Sequence, residues 1–268
     1  WAYSPEPSGV IWIVCNDGFI VTLTYEPDDK VIAFAEIVPG GNLKVLNIAI
    51  VPSADNQFYD KYVISERHYN NGTKRRMIER MLPFSLEKEN FGFLDSSIKD
   101  GIFYGRSLLV PHIPVGEEID VIVNGQHIGK QTVIEYRDYG FTIPCVVSDT
   151  DDIDTWCAGY AYKQLVQMLP VATQLQNGTT VGKAKRILKV VAAVNDTYEL
   201  LIGRDENNLM VALDEENNKL QVDVPKTGEY GLVFEDDVKL VSGDLYLINT
   251  KPYPFNLLTV TREVEFRD

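Results

Sequence analysis

The sequence predicts a mainly β protein: a partial β-propeller-like meander, then a small inserted β-module, then an antiparallel domain of sandwich-like or barrel-like form. Three observations carry this. Residues 181–203, VGKAKRILKVVAAVNDTYELLIG, hold a run in which Ile187, Lys189, Val191 and Ala193 alternate with Leu188, Val190 and Ala192, so both faces are nearly apolar past Arg186. Residues 10–36 break into three apolar runs at turn-forming residues. Further short runs recur about every ten residues, the spacing of propeller blades and sandwiches.

Taken in order, the first hairpin turns at Asn16-Asp17-Gly18, because Asp-Gly suits turns whose twist matches paired strands. A second turn at residues 26–30 leads into a third strand. Residues 45–51 and 61–67 are the next strands, and Asn70-Asn71-Gly72 joins the latter to 74–81. A short helix over 77–82, stopped by Pro83, is the competing reading of that segment. Residues 84–105 are expected to be a connector carrying a strand-like phrase at 91–95. The module after it has an approach strand ending at Pro111, strands at 118–123 and 126–135 around Asn124-Gly125, and a strand at 139–147. The domains are therefore expected at residues 1–92, 93–150 and 151–268.

In the last of these, Asn195-Asp196 is expected to reverse the chain, making 181–203 a hairpin. Strands at 209–213 and 219–224 flank a turn at 214–218, and residues 238–249 lead to Lys251-Pro252-Tyr253-Pro254-Phe255. Two prolines cannot donate ladder hydrogen bonds, so that phrase is an edge or a crossing loop. Residues 257–266 form the last strand.

The 268 residues carry a formal charge of −14, and an acidic surface repels phosphate backbones. No apolar run reaches the roughly 18 residues of a membrane-spanning helix, and no basic, then apolar, signal segment opens the chain. Opening on Trp1 in mid-pattern, it reads as a piece of something longer. Cys15, Cys145 and Cys157 are odd in number and widely spaced; they suit small buried apolar positions and not a disulfide framework or zinc site.

Catalytic signatures are not found. Gly178, Gly182 and Lys183 imitate a phosphate loop but have three residues between the glycines, and Ala184 follows the lysine where a hydroxyl is needed. Asp149, Asp151, Asp152 and Asp154 form the densest acidic cluster. Counted from Asp149, the calcium-loop glycine and glutamate positions hold Asp154 and Tyr160, so that pattern fails, and a solvated turn is expected. A glycoside hydrolase acting through these aspartates is the third reading weighed. His68, His112 and His127 lie in no metal or nucleophile motif. No catalytic, metal or cofactor residue is assigned. Trp156, Tyr160 and Tyr162 share a side of a strand by their even spacing; with Tyr136, Tyr139 and Phe141 they are the candidate interface or ligand platform. A receptor- or carbohydrate-binding module using them is the alternative function.

Several phrases occur in an order that resembles one family: VIWIVCNDGFIVTLTYEPDDKVIAFAE at 10–36, VLNIAIVP at 45–52, RMIERM at 76–81, FLDSS at 93–97, residues 182–203, and KPYPFNLLTVTREV at 251–264. Together they resemble the C-terminal part of the tail tubular protein B, or nozzle, family of tailed bacteriophages. The resemblance implies a virion tail component assembled in the host cytoplasm, whose full-length form makes a homo-oligomeric ring below the connector and contacts other tail proteins. It implies passage of double-stranded DNA without specific binding, and no enzymatic activity. This chain would lack the family's N-terminal portion, leaving the propeller incomplete. Carboxylates lining a conduit would fit that role, because they deny DNA the counterion-releasing contacts by which basic proteins hold it.

Overall fold

The structure, a computed structural model, describes residues 1–5, 9–53, 59–82, 93–101, 103–104, 107–135, 141–144, 153–172, 174–175, 178–179, 183–235 and 244–267. Among these residues all regular structure is β, every ladder is antiparallel, and no sheet closes into a barrel. The chain divides into two units, Trp1–Tyr162 and Lys163–Asp268.

The first unit begins with a four-stranded meander in sequence order, β1 (Ala2–Ser4), β2 (Val10–Val14), β3 (Ile20–Glu26) and β4 (Val31–Ile37). The predicted turn is present: Gly18 has φ +96°, and its N–H donates to the Cys15 carbonyl at 3.0 Å. A three-stranded meander comes next, β5 (Leu43–Pro52), β6 (Tyr59–His68) and β7 (Lys74–Met81). The helix considered over 77–82 does not form. Residues 74–81 pair with β6 in unbroken register, from His68 opposite Lys74 to Lys61 opposite Met81. The turn chemistry decides this, since Asn71 Oδ1 accepts the Thr73 N–H at 2.9 Å and Gly72 takes φ +81°, which returns the chain alongside β6. Ile20 of the first sheet and Val45, Ile48 and Val63 of the second are buried together, with Trp12, Val14, Ile37 and Met81 packed against them.

The remaining strands of this unit are β8 (Leu94–Lys99), β9 (Phe103–Tyr104), β10 (Ser107–Leu109), β11 (Glu118–Val123), β12 (Gln126–Thr132), β13 (Ile134–Glu135), β14 (Phe141–Pro144) and β15 (Trp156–Ala161). They make two sheets, ordered β12-β11-β15-β8 and β13-β14-β10-β9. Part of the expected connector is thus structural: β8 is hydrogen-bonded to β15, while residues 83–92 lie outside the described set. Leu108, Val110, Ile113, Ile119, Val121, Val133 and Ala158 form the shared core. β15, which the sequence groups with the third expected domain, pairs with β8 and β11, and the division between units falls after Tyr162.

The second unit contains β16 (Gln164–Met168), β17 (Gln174–Leu175), β18 (Gly178–Thr179), β19 (Ala184–Glu199), β20 (Leu201–Asp205), β21 (Asn208–Val211), β22 (Gln221–Val233), β23 (Leu245–Asn249) and β24 (Asn256–Arg267). Its main sheets are β22-β19-β24 and β16-β23-β20-β21, with β17-β18 a separate pair. The expected hairpin within 181–203 is corrected here. β19 runs 16 residues straight through Asn195-Asp196, and its partners are β22 and β24, not β20. Asp196 does adopt a left-handed φ of +45°, but the ladder absorbs it as an irregularity. The Asp196 N–H donates to Thr227 Oγ1, and Thr227 Oγ1 donates to Asn195 Oδ1, both at 3.0 Å, which tethers the site to β22.

Ile187, Val190, Ala192 and Val194 of β19 bury with Leu200, Ile202, Leu245 and Leu247 in one core. Leu247→Ala is expected to cost about 2–5 kcal/mol in urea unfolding, because its side chain is wholly buried there. Leu258→Ala, at a side chain 67% exposed on β24, should stay within about 0.5 kcal/mol of the parent.

Candidate functional site

The inward face of β6 carries Val63, Ser65 and Arg67 in alternation, and it serves two neighbours. Val63 packs in the core with the first sheet, whereas Arg67 reaches β8 and β15. Arg67 is 1% exposed. Its Nη1 donates to the Gly40 carbonyl at 2.9 Å, and Nη2 and Nε donate to Ser96 Oγ at 2.8 and 3.2 Å. The guanidinium carbon sits 3.9 Å from the centre of the Tyr160 ring, a cation–π stack. The Glu79 carboxylate accepts from Ser65 and Ser96, which brings a negative charge beside the buried cation. Burial pulls the guanidinium below its usual value, opposed by Tyr160, Glu79 and Asp95.

Gly40 and Gly41 permit this approach. A Cβ on Gly41, which has φ +65°, would collide with Arg67 Nη1 and lie 2.8 Å from Tyr160 Cδ1; one on Gly40 would lie 2.5 Å from the Ala161 carbonyl oxygen. Asp95 Oδ2 accepts the Gly40 N–H at 2.7 Å. Burial pushes its carboxyl up to about 6, against that hydrogen bond and the Arg67 charge. Around the rim, Tyr160 Oη donates to Glu117 Oε2 at 3.1 Å, and His112 Nε2, which must carry its proton, donates to the Ser96 carbonyl at 2.8 Å. These convergent groups satisfy one another. The arrangement is that of a polar centre in which the Arg67, Tyr160 and His112 bonds described above all end on protein acceptors.

The predicted platform residues are placed differently from one another. Trp156 and Tyr160 are buried in the core of the β8/β15 sheet, with Trp156 Nε1 donating to the Gly101 carbonyl at 3.1 Å. Tyr162 is half-buried just past β15, where burial and then the Asp95 charge raise its phenol. A stacking platform needs exposed ring faces, and Trp156 and Tyr160 do not offer them. Tyr136 and Tyr139 lie outside the described residues; Phe141 lies on β14, its side chain outside the described set. Asp149, Asp151 and Asp152 also lie outside it, as does Cys145. Asp154 is exposed, and its N–H donates to Asn124 Oδ1 at 2.9 Å. Cys157 is buried beside Leu94 and Ile122, and burial holds its thiol up to about 11, far from a reactive thiolate. His68 pairs with Glu66 and His127 with Asp120, at 3.0 and 2.9 Å.

Sequence reasoning missed a second feature, the outer face of the first sheet. Tyr3, Ile11, Leu23 and Phe34 lie directly opposite one another across four strands, and Tyr25 lies opposite Ile32 in the next row. Tyr3, Tyr25, Ile32 and Phe34 are half or more exposed. The other face of the same sheet is already engaged in the core. The signal was in the sequence: residues 10–14 and 31–35 are apolar at every position, where a strand with one solvated face would alternate. No family model and no curated protein matches the chain.

Arg67→Met is expected to cost about 3–5 kcal/mol in denaturant unfolding, since Glu79 and Asp95 then lose their buried counter-charge. Asp95 supplies a pH test. Its folded-state value of about 6 lies above the ordinary unfolded value near 3.9, so the folded chain holds an extra proton between them, and stability falls as pH rises through that window. Asp95→Asn, which keeps an acceptor for Gly40, should gain on the parent between pH 4 and 7, by on the order of 1–3 kcal/mol at the upper end. A constant difference across that range would show that the carboxyl titrates normally.

Proposed function

We propose that this chain is a structural component of a bacteriophage tail, of the nozzle or tail tubular kind, and works through contacts with other protein subunits without catalysis. The observation that carries the reading is the exposed apolar face of the first sheet. A soluble sheet normally turns one face to water, and a contiguous uncovered apolar face marks a protein contact. The order of sequence phrases shared with the nozzle family supplies the particle in which that contact is made.

In this reading the two opening meanders are consecutive blades of a partial propeller, and the second unit is a sandwich-like domain. The inward turn of Trp156 and Tyr160 takes those two rings out of the first of the two platforms a carbohydrate-binding module would use. The net charge of −14 suits a conduit that passes DNA without gripping it.

Two measurements test this. Electron microscopy of the full-length protein at increasing concentration should show rings with a central hole wide enough for a duplex. Peptides of the chain should also be found by mass spectrometry in purified tails of the particle that encodes it. Monomers at every concentration together with absence from tails would reject the reading.

A further inference from the structure

Among the described residues, the first and second sheets of the opening unit each leave one face uncovered, and the two faces differ in chemistry. On the first sheet the open face is aromatic and apolar, with Ile32 67% and Phe34 68% exposed at its β4 edge. Its ionic groups are acidic. Glu36 lies in the row of Val21 and Ile13, and the β3–β4 turn adds Asp28 and Asp29 against the single Lys30.

On the second sheet the open face centres on Ile78, 77% exposed on β7, opposite Ile64 on β6, with Leu46 and Val51 exposed on β5. Tyr62 lies opposite Arg80 in the row on one side of this pair and Glu66 opposite Arg76 in the row on the other. Here the balance is basic: Lys44, Lys74, Arg76 and Arg80 against Asp60 and Glu66. Arg76 bonds Glu66 at 2.9 Å yet stays 72% exposed, so its charge still reaches solvent.

We infer that these faces are the two halves of one contact between copies of this chain, the first sheet of one copy seated on the second sheet of the next. The inference rests on the self-assembly part of the function proposed above and names the surfaces. Charge selects the pairing. First sheet against first sheet would bring acidic rims together, and second against second would oppose arginines, whereas first against second matches acid to base around an apolar centre. The area is adequate. Tyr3, Tyr25 and Phe34, each able to bury about 150–250 Å2, are half or more exposed, and with Trp1, Ile13 and Ile32 they approach the roughly 800 Å2 per partner of a standard interface. A contact between two different faces is head-to-tail, the kind that closes into a ring when its rotation permits. The packing of Ile20 and Ile37 on Val45 and Val63 within one copy shows that these two sheets already bury faces against each other; the intermolecular contact extends the same stacking.

The test uses the full chain and two variants, Phe34→Glu and Ile78→Glu, each altering a largely exposed side chain on a different face. Circular dichroism and thermal unfolding of each verify that the fold is kept. Light scattering after size exclusion should show the parent as a concentration-dependent oligomer. Each variant alone should be monomeric, its self-association weakened at least about tenfold by a charge in the apolar centre. The 1:1 mixture should form heterodimers and nothing larger, because each variant retains the face the other lacks. Should the parent assemble while both variants assemble equally well, the contact named here is wrong and the assembly reading survives. Should Ile78→Glu associate with itself while Phe34→Glu does not, the first sheet binds its own kind and the head-to-tail contact is overturned. A parent that remains monomeric up to about 100 µM overturns this contact and the self-assembly reading together.

Discussion

A buried guanidinium is the constraint on which the first unit depends. Arg67 gives up water entirely, and such a group is tolerable only where its donors and its charge are answered by protein. Its partners come from three places: the Gly40 carbonyl in the link between the first two sheets, Ser96 on β8, and the Tyr160 ring on β15. Because a planar fork accepts little misalignment, satisfying all three fixes the two meanders and the β8/β15 sheet in one arrangement. Hydrophobic burial on either side of it could tolerate several packings; the cation selects one.

The second unit solves a similar problem with a carboxylate. Glu199, buried at the end of β19, accepts from the Thr250 N–H at 2.8 Å, from Thr250 Oγ1 at 2.7 Å and from Gln221 Nε2 at 2.9 Å. Those bonds hold the start of the proline-containing loop. Tyr253 then stacks on Tyr198 with ring centres 4.3 Å apart, and its carbonyl accepts from Asn249 and Gln164. The two prolines keep the loop out of any ladder, as expected, yet its tyrosine is a core residue. Arg67 in the first unit and Glu199 in the second are both engaged in holding strands together.

Much of the strand content was legible because two local signals agree. Apolar runs, continuous or alternating, marked β2 to β7, β11, β19 and β24, and Asn-Gly or Asp-Gly dipeptides marked the turns after β2, β6 and β11. Agreement failed where a local signal had two uses. Asn195-Asp196 is turn chemistry, but a long strand flanked on both sides absorbed it as an irregularity and continued. Residues 77–82 fit a helical period, and the ladder with β6 overrode it. Arg67 was visible only indirectly, as a charged residue at an inward position of an alternating strand, two places from Ser65 and four from Val63. Trp156 and Tyr160 were correctly placed on one side of a strand, but nothing local says which way that side points.

By itself the sequence determined a mainly β protein of net negative charge, its main turns, and an apolar strand over residues 187–194, which it ended too early at Asn195-Asp196. These arise from backbone preference and the period of apolar residues, which act within a few positions along the chain. Tertiary structure alone decided which strands are neighbours, that Trp156 and Tyr160 face inward, that Arg67, Ser96 and Tyr160 meet, and that two sheet faces of opposite character stay open. Each of these depends on groups far apart in the chain coming to the same place, and local propensity carries no information about which distant residue will answer a buried charge or cover an apolar row.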